Sequence, residues 1–168
     1  MRHIICRAGK MKKVIYASLA VVAFGATAAQ SSSVLVRDAG LVPYEIVDGT
    51  SIPKSLTGKA GDPKNGRKVV INRRQGNCLA CHAMPIPEQQ FHGETGPSLY
   101  GVGARLSAGE LRLQVVNSKV TNENTMMPSF YRTFGYERPL KKFAGKPILT
   151  AQQVEDVIAY LQTLKTEQ

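Results

Sequence analysis

Two stretches of the chain carry apolar residues at helical spacing, and each opens on its own start signal. Val154, Val157, Ile158 and Leu161 line one face of a helix that Thr150-Ala151-Gln152-Gln153 caps and that runs to about Lys165. Leu111, Val115 and Val116 form the apolar side of another, opened by the capping box Ser107-Ala108-Gly109-Glu110 and ending near Ser118. A third helix is announced by its cap rather than its period. Asp62 supplies a side-chain acceptor and Pro63 stands at the first helical position, where its missing donor costs nothing. This helix is expected to run to about Arg74, with Gly66 placed for a close crossing by another helix, before Gly76-Asn77 turns the chain.

Elsewhere breakers dominate. Residues 31–61 alternate short apolar stretches, Val34-Leu35-Val36, Leu41-Val42 and Ile46-Val47, with Pro43, Gly49, Pro53 and Gly58. No helical period survives them, which predicts an extended arm with at most one short strand. The arm is too apolar for a disordered linker, so its side chains should be buried, either on their own domain or on a partner subunit. Pro85, Pro87, Gly93, Gly96 and Pro97 make a long loop, and a second loop region over 129–149 holds Phe130, Tyr131 and Phe134. Loops of this composition inside a small domain are usually wrapped on something.

The amino terminus follows a different logic. Met11-Lys12-Lys13, an apolar run over 14–24 and then Ala26-Thr27-Ala28 give a basic region, a hydrophobic region and a small-residue cleavage site in order. This is a secretory signal, cut near Ala28 or Ala29, and it is too short to span a membrane. Met11 also makes a better initiator than Met1. The expected organisation is therefore a signal over 1–29, an arm over 30–61 and one domain over 62–168, periplasmic and without a membrane span. Arg2, Arg7, Lys10, Lys12 and Lys13 leave with the signal, which takes the formal charge from +10 to +5. A basic excess of that size, without a basic helix or interleaved aromatics, argues against nucleic acid and leaves an acidic protein partner open.

Cysteine usage then narrows the chemistry. Cys6 lies in or before the removed segment, so the mature chain keeps Cys78 and Cys81, in the run Cys78-Leu79-Ala80-Cys81-His82. Two thiols separated by two residues, with an imidazole directly after the second, is the spacing that captures both vinyl groups of a haem and offers its iron an axial nitrogen. A zinc half-site would want a second Cys/His pair, and a redox dithiol a thioredoxin-like βαβ context; neither is present. With both thiols consumed by one covalent haem c, the mature chain has neither a disulfide nor a cysteine nucleophile.

A low-spin haem also needs a sixth ligand, for which His92, Met84, Met126 and Met127 are the candidates. Met84 begins two residues from His82, on the proximal side. His92 sits in that same loop and would give a bis-histidine site. Met127 precedes Pro128, which biases it towards an extended backbone and holds its side chain out in one direction. Met127 is therefore the expected ligand, as Met/His ligation is usual in cytochromes c. Adjacent Met126 should point the other way. The other ring nitrogen of His82 needs an anchor, for which a backbone carbonyl of Gly96-Pro97 is well placed.

At this point the residues resemble the class I cytochrome c family: the haem motif after a first helix, Gly96-Pro97 before Leu99, Met127-Pro128 before aromatics, and Asp156-Val157-Ile158-Ala159-Tyr160-Leu161 in the last helix. The resemblance implies an all-α fold of few helices around a covalently bound haem, here with an extended N-terminal arm. It implies that the Pro97 carbonyl receives the ligand histidine's N–H and that the first and last helices cross at Gly66 against the 157–161 face. Gly61-Asp62-Pro63-Lys64-Asn65-Gly66-Arg67, Asn124-Thr125-Met126-Met127-Pro128-Ser129-Phe130-Tyr131 and the run from Gly145 to Asp156 are more narrowly similar to the SoxX family of monohaem subunits. That similarity implies a heterodimer with a dihaem or monohaem SoxA-type cytochrome, whose complex joins thiosulfate to a cysteine of a sulfur carrier protein. As an enzyme this is the electron-transfer subunit of an L-cysteine S-thiosulfotransferase, with no catalytic residues of its own, passing electrons to a small soluble acceptor. The rival reading is a free carrier without a fixed partner. Leu41, Val42, Ile46, Phe130, Tyr131 and Phe134 are the expected partner contacts.

Overall fold

The computed structural model describes residues 30–166, so the signal segment and Cys6 lie outside the described residues. The arm is a hairpin rather than an extended strap. Strand β1 (Ser33–Val36) pairs antiparallel with β2 (Tyr44–Val47), with Ser33 opposite Val47 and Val36 opposite Tyr44. Pro43, one of the breakers that obscured the pattern, lies in the connection between the strands. Alternation along β2 turns Tyr44 and Ile46 inward, and Ile52 and Leu56 follow them into the core. The arm therefore packs on its own domain.

This burial overturns half of the expected partner surface. Ile46, Phe130 and Tyr131 are core residues and Leu41 is half-buried, while Val42 and Phe134 stay exposed. The rings of Tyr44 and Tyr131 meet at 6.5 Å, so the aromatic residues of the second loop answer the hairpin instead of a second chain.

Helix α1 (Pro63–Ile71) begins as its cap dictates, with the Asp62 carboxylate accepting from the Lys64 N–H at 2.8 Å. It stops three residues short of Arg74. The Asn72 side chain accepts from the Arg74 N–H at 2.9 Å and the Asn72 carbonyl from the Asn77 N–H at 3.0 Å, and these bonds compete with a further helical turn. A four-residue helix, α2 (Val102–Arg105), is too short to leave a period in the sequence. Helix α3 (Ala108–Asn117) carries the full Ser107/Glu110 capping box and α4 (Ala151–Thr163) the Thr150/Gln153 box.

The last helix is the spine. α1, α2 and α3 all pack on it. A Cβ at Gly66 would overlap the Asp156 carbonyl oxygen and stand 2.9 Å from Tyr160 Cβ, so α1 and α4 cross backbone to backbone there. The crossing meets α4 at Asp156 and at Tyr160, the second of them within the 157–161 range. Asp156 also accepts from the Asp62 N–H at 2.9 Å, tying the start of α1 to α4. On the other side Arg112 of α3 forks onto Glu155 of α4, Nε to Oε1 and Nη2 to Oε2 each 2.9 Å, both side chains buried. Arg112 Nη1 donates to the Ile52 carbonyl at 2.6 Å and the Leu56 N–H to Glu155 at 2.8 Å. This saturated pair carries segment 52–56 onto the helices, and removal of either partner would strand a buried charge.

Candidate functional site

Cys78–Ala80 forms one tight 3-10 turn, entered through Asn77 in the left-handed region at φ 49° and ψ 35°. The N–H groups of Cys81 and His82 both donate to the Cys78 carbonyl, at 3.1 and 2.9 Å, which closes the motif on itself. Both thiols are unpaired, Cys81 exposed and Cys78 half-buried. Burial pushes the Cys78 thiol up to about 12. A redox dithiol works through a thiolate, the form that burial disfavours at Cys78. Among the described residues no three His, Cys, Asp or Glu side chains gather as metal ligands, which leaves a zinc half-site without its complement.

The segment that follows folds back under the turn. The Gly93 N–H donates to the Leu79 carbonyl at 2.8 Å and the Gly96 N–H to the Cys81 carbonyl at 2.7 Å. A Cβ at Gly96 would overlap the His82 ring, 2.7 Å from Nδ1, so only glycine lets the imidazole lie against this backbone. His82 Nδ1 then stands 2.7 Å from the Pro97 carbonyl oxygen. A carbonyl can only accept, so Nδ1 holds the proton and Nε2 is left as the lone-pair donor. The donor set therefore fits a haem c: an oriented imidazole nitrogen one residue beyond two free thiols.

Met127 lies on the loop after α3, half-buried against the core, while Met126 is 82% exposed. The loop is pinned at several points. Ser118 Oγ donates to the Met127 carbonyl at 3.0 Å, the Met127 N–H to Thr125 Oγ1 at 3.2 Å, and Lys119 Nζ to the Thr125 carbonyl. Beyond Pro128, the Phe130 and Tyr131 N–H groups donate to the Val115 and Val116 carbonyls at 3.0 and 3.3 Å. Of the other candidates, Met84 is fully buried in the core, and His92 Nδ1 accepts from the Met84 N–H at 3.3 Å with its Nε2 buried and without a partner. His92 is thus engaged with the segment that follows His82.

Sequence reasoning missed the residues that hold this loop, Ser118, Lys119, Thr125 and Tyr131. Ser118 and Thr125 flank the motif as ordinary polar loop residues, and nothing in the local pattern marks them. Asn77 was legible as a turn but not as the left-handed residue that starts the motif.

Residues 63–165 match the family model described as cytochrome c. The chain belongs to the cytochrome c family, and its few helices form the all-α class I fold. A cytochrome c-553-like protein from Synechocystis sp. is 31% identical over 104 residues, 62% of this chain and 70% of the relative. Among solved structures, a chain of SoxXA from P. pantotrophus is 42% identical at a TM-score of 0.65, covering 70% of this chain and 91% of that one. Among the described residues no helix is long and apolar enough to cross a membrane.

Proposed function

We propose that this chain is the monohaem electron-transfer subunit of a SoxXA-type cytochrome, exported to the periplasm and paired there with a SoxA-type subunit. Cys78 and Cys81 would hold the haem as thioethers and His82 Nε2 and Met127 would ligate its iron, with Gly96 and Pro97 holding the histidine. When bound, the haem supplies one-electron storage. With both thiols committed, the described residues offer no sulfur nucleophile, so joining thiosulfate to a carrier-protein cysteine falls to the partner. This subunit takes up the released electrons one at a time for a small soluble acceptor. The observation that carries the reading is the His82 imidazole, presented with Nδ1 engaged beside two unpaired thiols. Likeness to a SoxXA chain along 91% of its length supports the choice of complex.

The test is spectroscopic first. Met127→Ala should abolish the long-wavelength Met-to-iron charge-transfer band and leave a high-spin or water-ligated centre, whereas Met126→Ala should keep the band. Survival of the band in Met127→Ala, with its loss in Met126→Ala or His92→Ala, would overturn the ligand assignment. Coexpression with a SoxA-type cytochrome should yield a complex that copurifies. A free carrier is the second reading, favoured by the likeness to the c-553-like protein, which covers 62% of this chain. It requires the full-length protein to run as a monomer beside that partner.

A further inference from the structure

The second loop region contains a surface unlike the rest of the molecule. Residues 132–146 carry Arg132, Arg138, Lys141, Lys142 and Lys146 against Glu137 alone, a net +4 out of the +5 carried by residues 30–168. Outside this segment the two signs nearly cancel. The same segment exposes apolar side chains: Leu140 is 66% exposed and Phe134 58%. Arg132 lies over the Phe134 ring at 4.9 Å and Lys142 over the Phe143 ring at 4.5 Å, which positions both charges on the aromatic surface. In the same segment a cleft of about 170 Å³ is walled by Pro128, Pro139, Leu140, Phe143 and Ile148, with Lys146 and Glu137 both on its lining. Pro128 is the residue after Met127, so the cleft borders the loop assigned to the sixth ligand.

We infer that this basic, apolar-floored surface is the docking site of an acidic redox protein, the electron acceptor, which seats one apolar side chain in the cleft and rings it with carboxylates. The inference rests on the electron-transfer reading above and names the surface that reading needs. Charge chooses this occupant over the permanent subunit. A permanent interface is depleted of charge at its core and buries apolar area, whereas a transient redox encounter is small and gains its rate from complementary fields. Nearly all of the net charge of residues 30–168 being placed on one loop is the second pattern. The uncharged, exposed Val34 and Leu35 of β1 are the kind of surface a permanent partner would cover instead.

Reduced haem-loaded protein is mixed with an oxidised acidic blue-copper protein, and bleaching of the copper is followed by stopped flow from low to high salt. One electron passes from each haem to each copper. The second-order rate should fall at least tenfold on adding salt, since fields between exposed charges extend only about 10 Å at 0.1 M. The variant K141E/K142E/K146E should lose at least tenfold at low salt and show a flat salt profile. A charge-matched control, K54E/K59E/K64E, should keep the parent's rate and profile. Leu140→Ser should slow the reaction at all salt concentrations, where the charge variants differ only at low salt. Equal rates and slopes for the two triple variants would overturn the proposal. So would loss of copurification with the SoxA-type subunit in K141E/K142E/K146E, which would make the loop the permanent interface and leave the functional reading intact. Adsorption to anionic phospholipid vesicles with no change in the copper rate would overturn it as well. Retention of the Met-to-iron band in each variant shows that the fold is kept. Failure of the parent protein to carry covalent haem would defeat the functional reading itself.

Discussion

The two sides of the candidate haem site are built by opposite means. The histidine side is assembled from one continuous stretch, 76–97, in which the Cys78, Leu79 and Cys81 carbonyls accept N–H groups from within the stretch and Gly96 removes the side chain that would block the ring. The methionine side is assembled from remote parts. Its loop hangs from the α3 carbonyls of Val115 and Val116, from Ser118, and from the hairpin, where the Val42 N–H donates to Tyr131 Oη at 3.0 Å and Asp38 accepts from the Thr133 N–H at 2.8 Å. Of the two proposed ligands, one is thus set by local sequence and the other by tertiary structure. Damage far from the motif should therefore strike the methionine first.

The harshest test removes residues 31–58. Tyr44, Ile46, Ile52 and Leu56 are all buried, and Arg112 and Glu155 lose the backbone groups that complete their network. Each deleted core side chain alone is worth roughly 2 to 5 kcal/mol, so the remaining chain should show no cooperative melt by calorimetry. Next comes Gly96→Ala, which drives a methyl into the His82 ring. A loss of about 3 kcal/mol is expected from overpacking, with a disturbed histidine ligand in the resonance Raman spectrum, while methionine-side hydrogen bonds stay intact.

Much of the histidine side was readable because its determinants are contiguous. The caps at Asp62, Ser107 and Thr150 act within a few residues of themselves and are found where the sequence put them, while Gly96 and Pro97 meet the His82 ring from later in the same stretch. The hairpin was missed because its strands are only four residues long and Pro43, read as a breaker, stands directly before the second of them. The second loop misled for a related reason. Phe130 and Tyr131 are apolar residues without a period, and a sequence cannot say whether such residues meet their own chain or another. Their partners, Val115, Val116 and Tyr44, come from α3 and from the far end of the described chain.

Finer cuts sharpen the contrast. Ser118→Ala removes the donor to the Met127 carbonyl, and about 1 kcal/mol of stability should go with it. The Met-to-iron band should weaken at a lower temperature than in the parent, with the histidine side unaffected. The smallest effect concerns alkali. Burial raises the Tyr44 hydroxyl from an ordinary 10.0 to about 12, against the lowering influence of Arg132. Its folded form holds the proton longer than the unfolded chain does, so its contribution is complete below pH 10 and is lost as pH rises towards 12. Urea unfolding across that interval should show falling stability, and Tyr44→Phe should make the decline shallower.

The bond from the Val42 amide to Tyr131 gives the molecule a built-in reporter. Val42 lies just before β2 yet is satisfied by a side chain of the distal loop, so its exchange with deuterium requires that loop to lift. The ladder amides between Ser33–Val36 and Tyr44–Val47 exchange only when the hairpin itself opens. Amide exchange at one position thus times the breathing of the methionine side, and exchange a few residues later times that of the scaffold beneath it.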